Sequence, residues 1–191
     1  MVMSSKGPAG APVVIVAAFY NGEEEIGRQK FAKLIELGPI VNRTGMMPSE
    51  VVNTLQNAVL PQGANYHLTG TIRGEGRLQS EAARDIFNKM IEMTGAPGAC
   101  LTDGGPVFSI IWQFINLKKV TSLPADASAL RMRTASPCMS MVIRWEGDST
   151  EASKDAKDRV TRLKDFIVQA LEHTFPNGLG ENDTGYGNFG A

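Results

Sequence analysis

Three runs along the chain alternate between apolar and polar positions with a period of two. In 138–146, Met139, Met141, Ile143 and Trp145 fall on one side, with Cys138, Ser140, Val142, Arg144 and Glu146 on the other. In 107–115, Phe108, Ile110, Trp112 and Phe114 alternate with Ser109 and Gln113. In 65–73, His67, Thr69, Thr71 and Arg73 stand opposite Tyr66, Leu68 and Ile72. Period-two alternation marks strands with one buried face. In each run polar residues sit at mid-strand rather than at its ends. The pattern predicts one sheet whose apolar face lies under helices and whose polar face meets water, a ligand or another subunit.

The remaining chain is read around those strands. Residues 1–11 form a flexible lead-in, and the unbroken apolar run 12–20 fits a central strand buried on both faces. Asn21 is placed to cap a helix that carries Glu23, Glu24 and Glu25 at its positive end and an apolar stripe of Phe31, Leu34 and Ile35. Gly38-Pro39 stops it. A second strand is expected over 40–46 and a short helix from Pro48 through 58, then a turn at 61–64. The glycines of the 73–77 loop match neither the Walker nor the dinucleotide spacing. An amphipathic helix over 80–93 turns Ala83, Phe87 and Met90 inward, and 95–98 breaks it. The loop 116–136, with Pro124, Arg131 and Arg133, is long enough to have a function of its own. The longest helix covers 150–174 through Ala152, Ala156, Val160, Leu163, Ile167 and Leu171, and 176–191 is an extended tail. The order predicts a single α+β domain with a mainly antiparallel sheet and helices packed on one face.

Composition narrows the function classes. A chain of 191 residues, 42% hydrophobic and 20% charged, can bury a real core. A net charge of −1, with no basic run between aromatics, argues against nucleic acid or an anionic membrane as partner. No apolar run is long enough to span a bilayer and the first residues lack a signal-peptide core, so a soluble cytoplasmic protein is expected. The two cysteines, Cys100 and Cys138, are read as buried free thiols rather than a disulfide. Two histidines far apart, His67 and His173, leave no metal-ligand spacing. His173 falls at a helix C-terminus, where a cation is favourable in any case.

Several segments resemble a known family. Phe-Tyr-Asn-Gly-Glu-Glu-Glu (19–25), Leu-Gly-Pro-Ile-Val (37–41), Ser-Leu-Pro-Ala-Asp-Ala-Ser-Ala (122–129) and Arg-Trp-Glu (144–146) resemble the C-terminal substrate domain of fungal FAD-linked oxidases of the berberine-bridge-enzyme type. The tail Tyr186-Gly-Asn-Phe189 is similar to the terminal Tyr-x-Asn-Tyr of that family, and the resemblance spans 13–189. It implies a sheet whose polar face looks across an active site to a flavin. The flavin domain itself, with the His and Cys that bond FAD, has no expected counterpart in this sequence. Tyr186 and Asn188 are then the residues to touch FAD supplied by a partner chain.

Three functions fit the polar face. One is a stand-alone, flavin-independent enzyme of secondary metabolism that cyclises or isomerises a polyketide- or alkaloid-like intermediate. Positioning and polarisation suffice for a Diels–Alder or related pericyclic step, so no cofactor or metal is required. Arg144 or Gln113 would polarise a carbonyl and His67 would act as acid or base. Thr69, Thr71, Ser109, Trp112, Ser140 and Tyr66 would line the substrate site, with Tyr66 a further candidate acid although its parity places it with the apolar set. Structural readings stand beside these: His67 as a hydrogen-bonded strand histidine, Arg144 paired with an acid, Trp112 in the core. The second function is the substrate domain of a split or truncated oxidase, and the third a non-catalytic binding module. Sheet surface uncovered by the missing flavin domain predicts a homodimer.

Overall fold

The computed structural model describes residues 1–7, 9–52, 54, 65–68, 72–73, 78–94, 106–114, 116, 118–124, 138–147 and 149–172. The chain divides into two compact units, Met1–Ile15 with Ala64–Ala191, and Val16–Gly63. The first unit holds the sheet. Its strands are β1 (Val2–Ser4), β2 (Val13–Ile15), β3 (Asn65–Leu68), β4 (Ile72–Arg73), β5 (Val107–Gln113) and β6 (Cys138–Trp145). They run β2-β1-β5-β6-β3, with β4 also on β6, and every pairing is antiparallel. Helices α4 (Ser80–Glu92) and α6 (Thr150–Glu172) complete the unit, together with the short α5 (Lys118–Thr121). The architecture is α+β with a mainly antiparallel sheet, as the alternation predicts.

The core lies between the sheet and the two long helices. Met3, Phe108, Ile110, Trp112, Met139, Met141, Ile143 and Trp145 meet Ile86 and Met90 of α4 and Ala156, Val160, Leu163, Ile167 and Leu171 of α6. Each large side chain so buried stabilises the fold by about 1.5–3 kcal/mol. In α6 the apolar spacing specifies the buried face as read from sequence. In α4 the buried set is Ala82, Ile86 and Met90, with Ala83 and Phe87 only partly buried, so the helix is rotated by about one position from expectation. Ser149 caps α6 by accepting a hydrogen bond from the Ala152 N–H at 3.0 Å. Arg159 reaches from α6 to the Met93 carbonyl at 2.8 Å, which satisfies an orphan acceptor at the end of α4.

The N-terminal residues depart from the flexible lead-in expected of them. Val2–Ser4 is an interior strand between β2 and β5, and Met3 is buried under the helices. Its ladder continues beyond the strand, with Trp112 N–H donating to the Met1 carbonyl at 2.8 Å and Ser5 N–H to the Phe108 carbonyl at 2.9 Å. Conversely, the run expected to be a central strand contributes only Val13–Ile15, at the sheet edge, with Val14 47% exposed. Three residues are too few for alternation to be read, and an apolar run records composition rather than position in a sheet.

The second unit holds α1 (Glu24–Lys30), α2 (Ala32–Glu36) and α3 (Ser49–Val52), none with a buried residue. The helix expected from Asn21 to Gly38 breaks at Phe31, and Glu23, not Asn21, is its N-cap, without a side-chain cap. Gly38, at φ 66, ends α2. Local pairs hold the unit: Arg28 with Glu24 at 2.7 Å, Arg28 to the Thr44 carbonyl at 3.2 Å, and Lys30 over the Tyr20 ring at 5.4 Å. No strand forms over 40–46, where Ile40 is 99% exposed. The 61–64 turn, the 73–77 glycines, Cys100, Arg131, Arg133, His173 and the 176–191 tail lie outside the described residues. No described helix is long and apolar enough to cross a membrane.

Candidate functional site

Register assigns each side chain to a face, because residues directly paired across antiparallel strands point the same way. One face, with Phe108 opposite Ile143, Ile110 opposite Met141 and Trp112 opposite Met139, is the helix-covered core. The other carries three rows. The first is Val107–Arg144–Tyr66, the second Ser4–Ser109–Val142–Leu68 and the third Val2–Ile111–Ser140. Ser4, Ser109, Ser140 and Val142 are buried, whereas Arg144, Tyr66, Leu68, Val107 and Ile111 are half-buried.

The hydroxyls of this face differ in their duties. Ser4 donates to the Lys6 carbonyl at 3.0 Å and so serves the local backbone. No described residue hydrogen-bonds the Ser109 or Ser140 hydroxyl. The ion pairs among the described residues join Arg28 to Glu24, Lys89 to Glu92 and Arg159 to Asp155, and Arg144 takes part in none. The structure therefore brings together a half-buried arginine, two buried serines and an apolar floor. The acid that would have made Arg144 a structural ion pair is absent among the described residues.

The sequence-derived site is only partly assembled. Arg144, Ser109 and Ser140 share the face as expected, and exposed Gln113 lies on it at the far end of β5. Tyr66 joins them opposite Arg144, contrary to its expected place among the apolar set. His67 does not. It pairs with Ile143 and so belongs to the helix-covered face, away from Arg144. There burial lowers its pKa below the usual histidine value, and the positive charge of Lys157 on α6 lowers it further. Trp112 also belongs to that face, 2% exposed in the core. Thr69, Thr71, Tyr186 and Asn188 lie outside the described residues.

The physical reason for the exchange of His67 and Tyr66 is a slip in register. Leu68 pairs with Val142 and Ile72 with Met139, so one strand advances four residues while β6 advances three. A one-residue slip moves every subsequent side chain to the other face. Parity read from Ile72 back to Tyr66 is reversed by it. At the start of β3 the Asn65 side chain donates to the Gly147 carbonyl at 2.8 Å.

No cluster of metal-ligating side chains occurs among the described residues. By register both Arg144 and Arg73 fall on the face that carries Ser109 and Ser140, at its opposite ends, since Arg73 pairs with Cys138.

No protein-family model matches the chain. No curated protein matches it either. Among solved structures it is similar to a variant of berberine bridge enzyme, at 16% identity and a TM-score of 0.58. That match covers 89% of this chain and 33% of the enzyme, so the chain spans about a third of the enzyme's length. The likeness is one of fold: this chain folds like part of berberine bridge enzyme.

Proposed function

We propose that the serine face binds a polyketide- or alkaloid-like intermediate of secondary metabolism, and that the chain cyclises or isomerises it without flavin. The observation that carries this reading is the arrangement, on the face opposite the helix-packed core, of Ser109, Ser140 and an Arg144 with no ion pair among the described residues. Arg144 polarises a carbonyl, Gln113 supplies a second donor at the far end, and the small serines let a flat substrate lie close to the sheet. With His67 on the other face, acid–base catalysis by histidine drops out of the proposal. What remains is orientation and electrostatic polarisation, the two contributions a Diels–Alder or other pericyclic cyclisation needs from a protein. A homodimer is the proposed working form, and light scattering on the purified protein tests it. A single-chain mass would overturn it.

The fold of berberine bridge enzyme favours a second reading, in which the chain is the substrate half of an FAD-linked oxidase and the flavin comes from outside it. An absorbance spectrum between about 300 and 550 nm, taken after adding FAD and desalting, is combined with turnover of pathway intermediates with and without FAD. Turnover by the colourless protein supports the flavin-independent enzyme. A retained flavin band with flavin-dependent oxidation supports the oxidase half. Binding without turnover in either condition leaves a non-catalytic binding module.

A further inference from the structure

Arg144 stands at the rim of the serine face, near the end of β6 and three residues before Gly147. Its neighbours across the sheet, Val107 and Tyr66, are half-buried with it. Inward from it the face becomes neutral and small, through Val142 and Ser109 to Ser140 and Ile111. Glu146 follows on the outward side but is exposed and forms no ion pair with Arg144. Arg144 is thus half-buried without a carboxylate partner among the described residues. A planar cation in that state is best completed by an anionic oxygen, two of which it takes side by side from a carboxylate. The same position favours a ligand with a charged end and a neutral body, because no described side chain on β5 or β6 is charged between Arg144 and the far end of the face, where Arg73 pairs with Cys138.

Resting on the ligand-binding reading above, we infer that the substrate is an organic acid or enol held as its anion. Its carboxylate or enolate oxygen meets Arg144, and its flat apolar body lies over the half-buried Ile111 and Leu68. This names the substrate class and sets its direction on the sheet, with the charged end at the rim and the reacting carbons inward.

Isothermal titration of the full chain with 2-naphthoate and with its neutral isostere 2-naphthamide tests the inference. The acid is expected to bind about 10-fold more tightly than the amide. Arg144→Gln should abolish the preference for the acid over the amide, and Arg144→Lys should keep part of it. Circular dichroism and thermal melting verify that both variants fold. The native comparison of acid with amide stands whether or not they do. Equal binding of the two probes to the native chain overturns the assignment to Arg144 and leaves the ligand face intact, as does a preference that survives Arg144→Gln. Binding of neither probe overturns the ligand face and the anion assignment together.

Discussion

On β5 and β6 the helix-covered face holds Phe108, Ile110, Met139, Met141 and Ile143 at 0–1% exposure, and the opposite face holds Ser109, Ser140 and Val142 at 7%. Both faces are therefore withdrawn from water, yet they differ in what burial achieves. Large apolar side chains against α4 and α6 convert lost water contact into stability. Serines of the other face contribute little by being buried and retain hydrogen-bonding capacity. Burial alone therefore does not tell the two faces apart. Side-chain volume and unspent donors do.

The largest test of that contrast is truncation on each face. Phe108→Ala should cost about 3–5 kcal/mol in urea unfolding, from lost transfer energy plus a cavity. Ser140→Ala should cost under about 1 kcal/mol, since no described partner is left unpaired. Comparable losses from the two would show that the serine face is part of the core.

A smaller effect is expected at the two indoles of the helix-covered face. Trp112 and Trp145 bury their Nε1 donors without a hydrogen-bond partner. An orphaned buried N–H already carries a desolvation cost, which Phe removes together with some packing volume. Trp112→Phe and Trp145→Phe should each shift stability by no more than about 1.5 kcal/mol, well below Phe108→Ala. A loss as large as that of Phe108→Ala would mean that the indole N–H groups hold something in solution.

Long periodic elements were the legible part of this fold. Eight alternating residues fixed β6, and six apolar positions spaced along α6 fixed its buried face. The failures were of two physical kinds. Val2–Ser4 is too short to show a period, and its place inside the sheet comes from long-range pairing with Ile110 and its neighbours. His67 and Tyr66 exchanged faces because pairing register, not strand sequence alone, sets which way a side chain points. The face shared by Ser109, Ser140 and Arg144 was legible where alternation was unbroken, and the faces of His67 and Tyr66 were lost where the register slips.

The finest test separates the faces through His67. The folded chain holds a proton at His67 less tightly than the unfolded chain does, mainly through burial and then through Lys157. Unfolding therefore takes up a proton as pH falls below about 6.5, the ordinary histidine value. Stability from this residue should drop as pH falls through that value, level off below the folded midpoint, and be unchanged above it. Nuclear magnetic resonance titration of the imidazole should place its midpoint below that of an unfolded peptide. Lys157→Gln should raise the midpoint only part of the way, because burial is the larger cause and persists. Arg144→Gln should leave it where it was, since the guanidinium belongs to the opposite face. A midpoint that rises with Arg144→Gln and ignores Lys157→Gln would return His67 to the serine face. It would also restore histidine as a candidate acid or base beside the substrate.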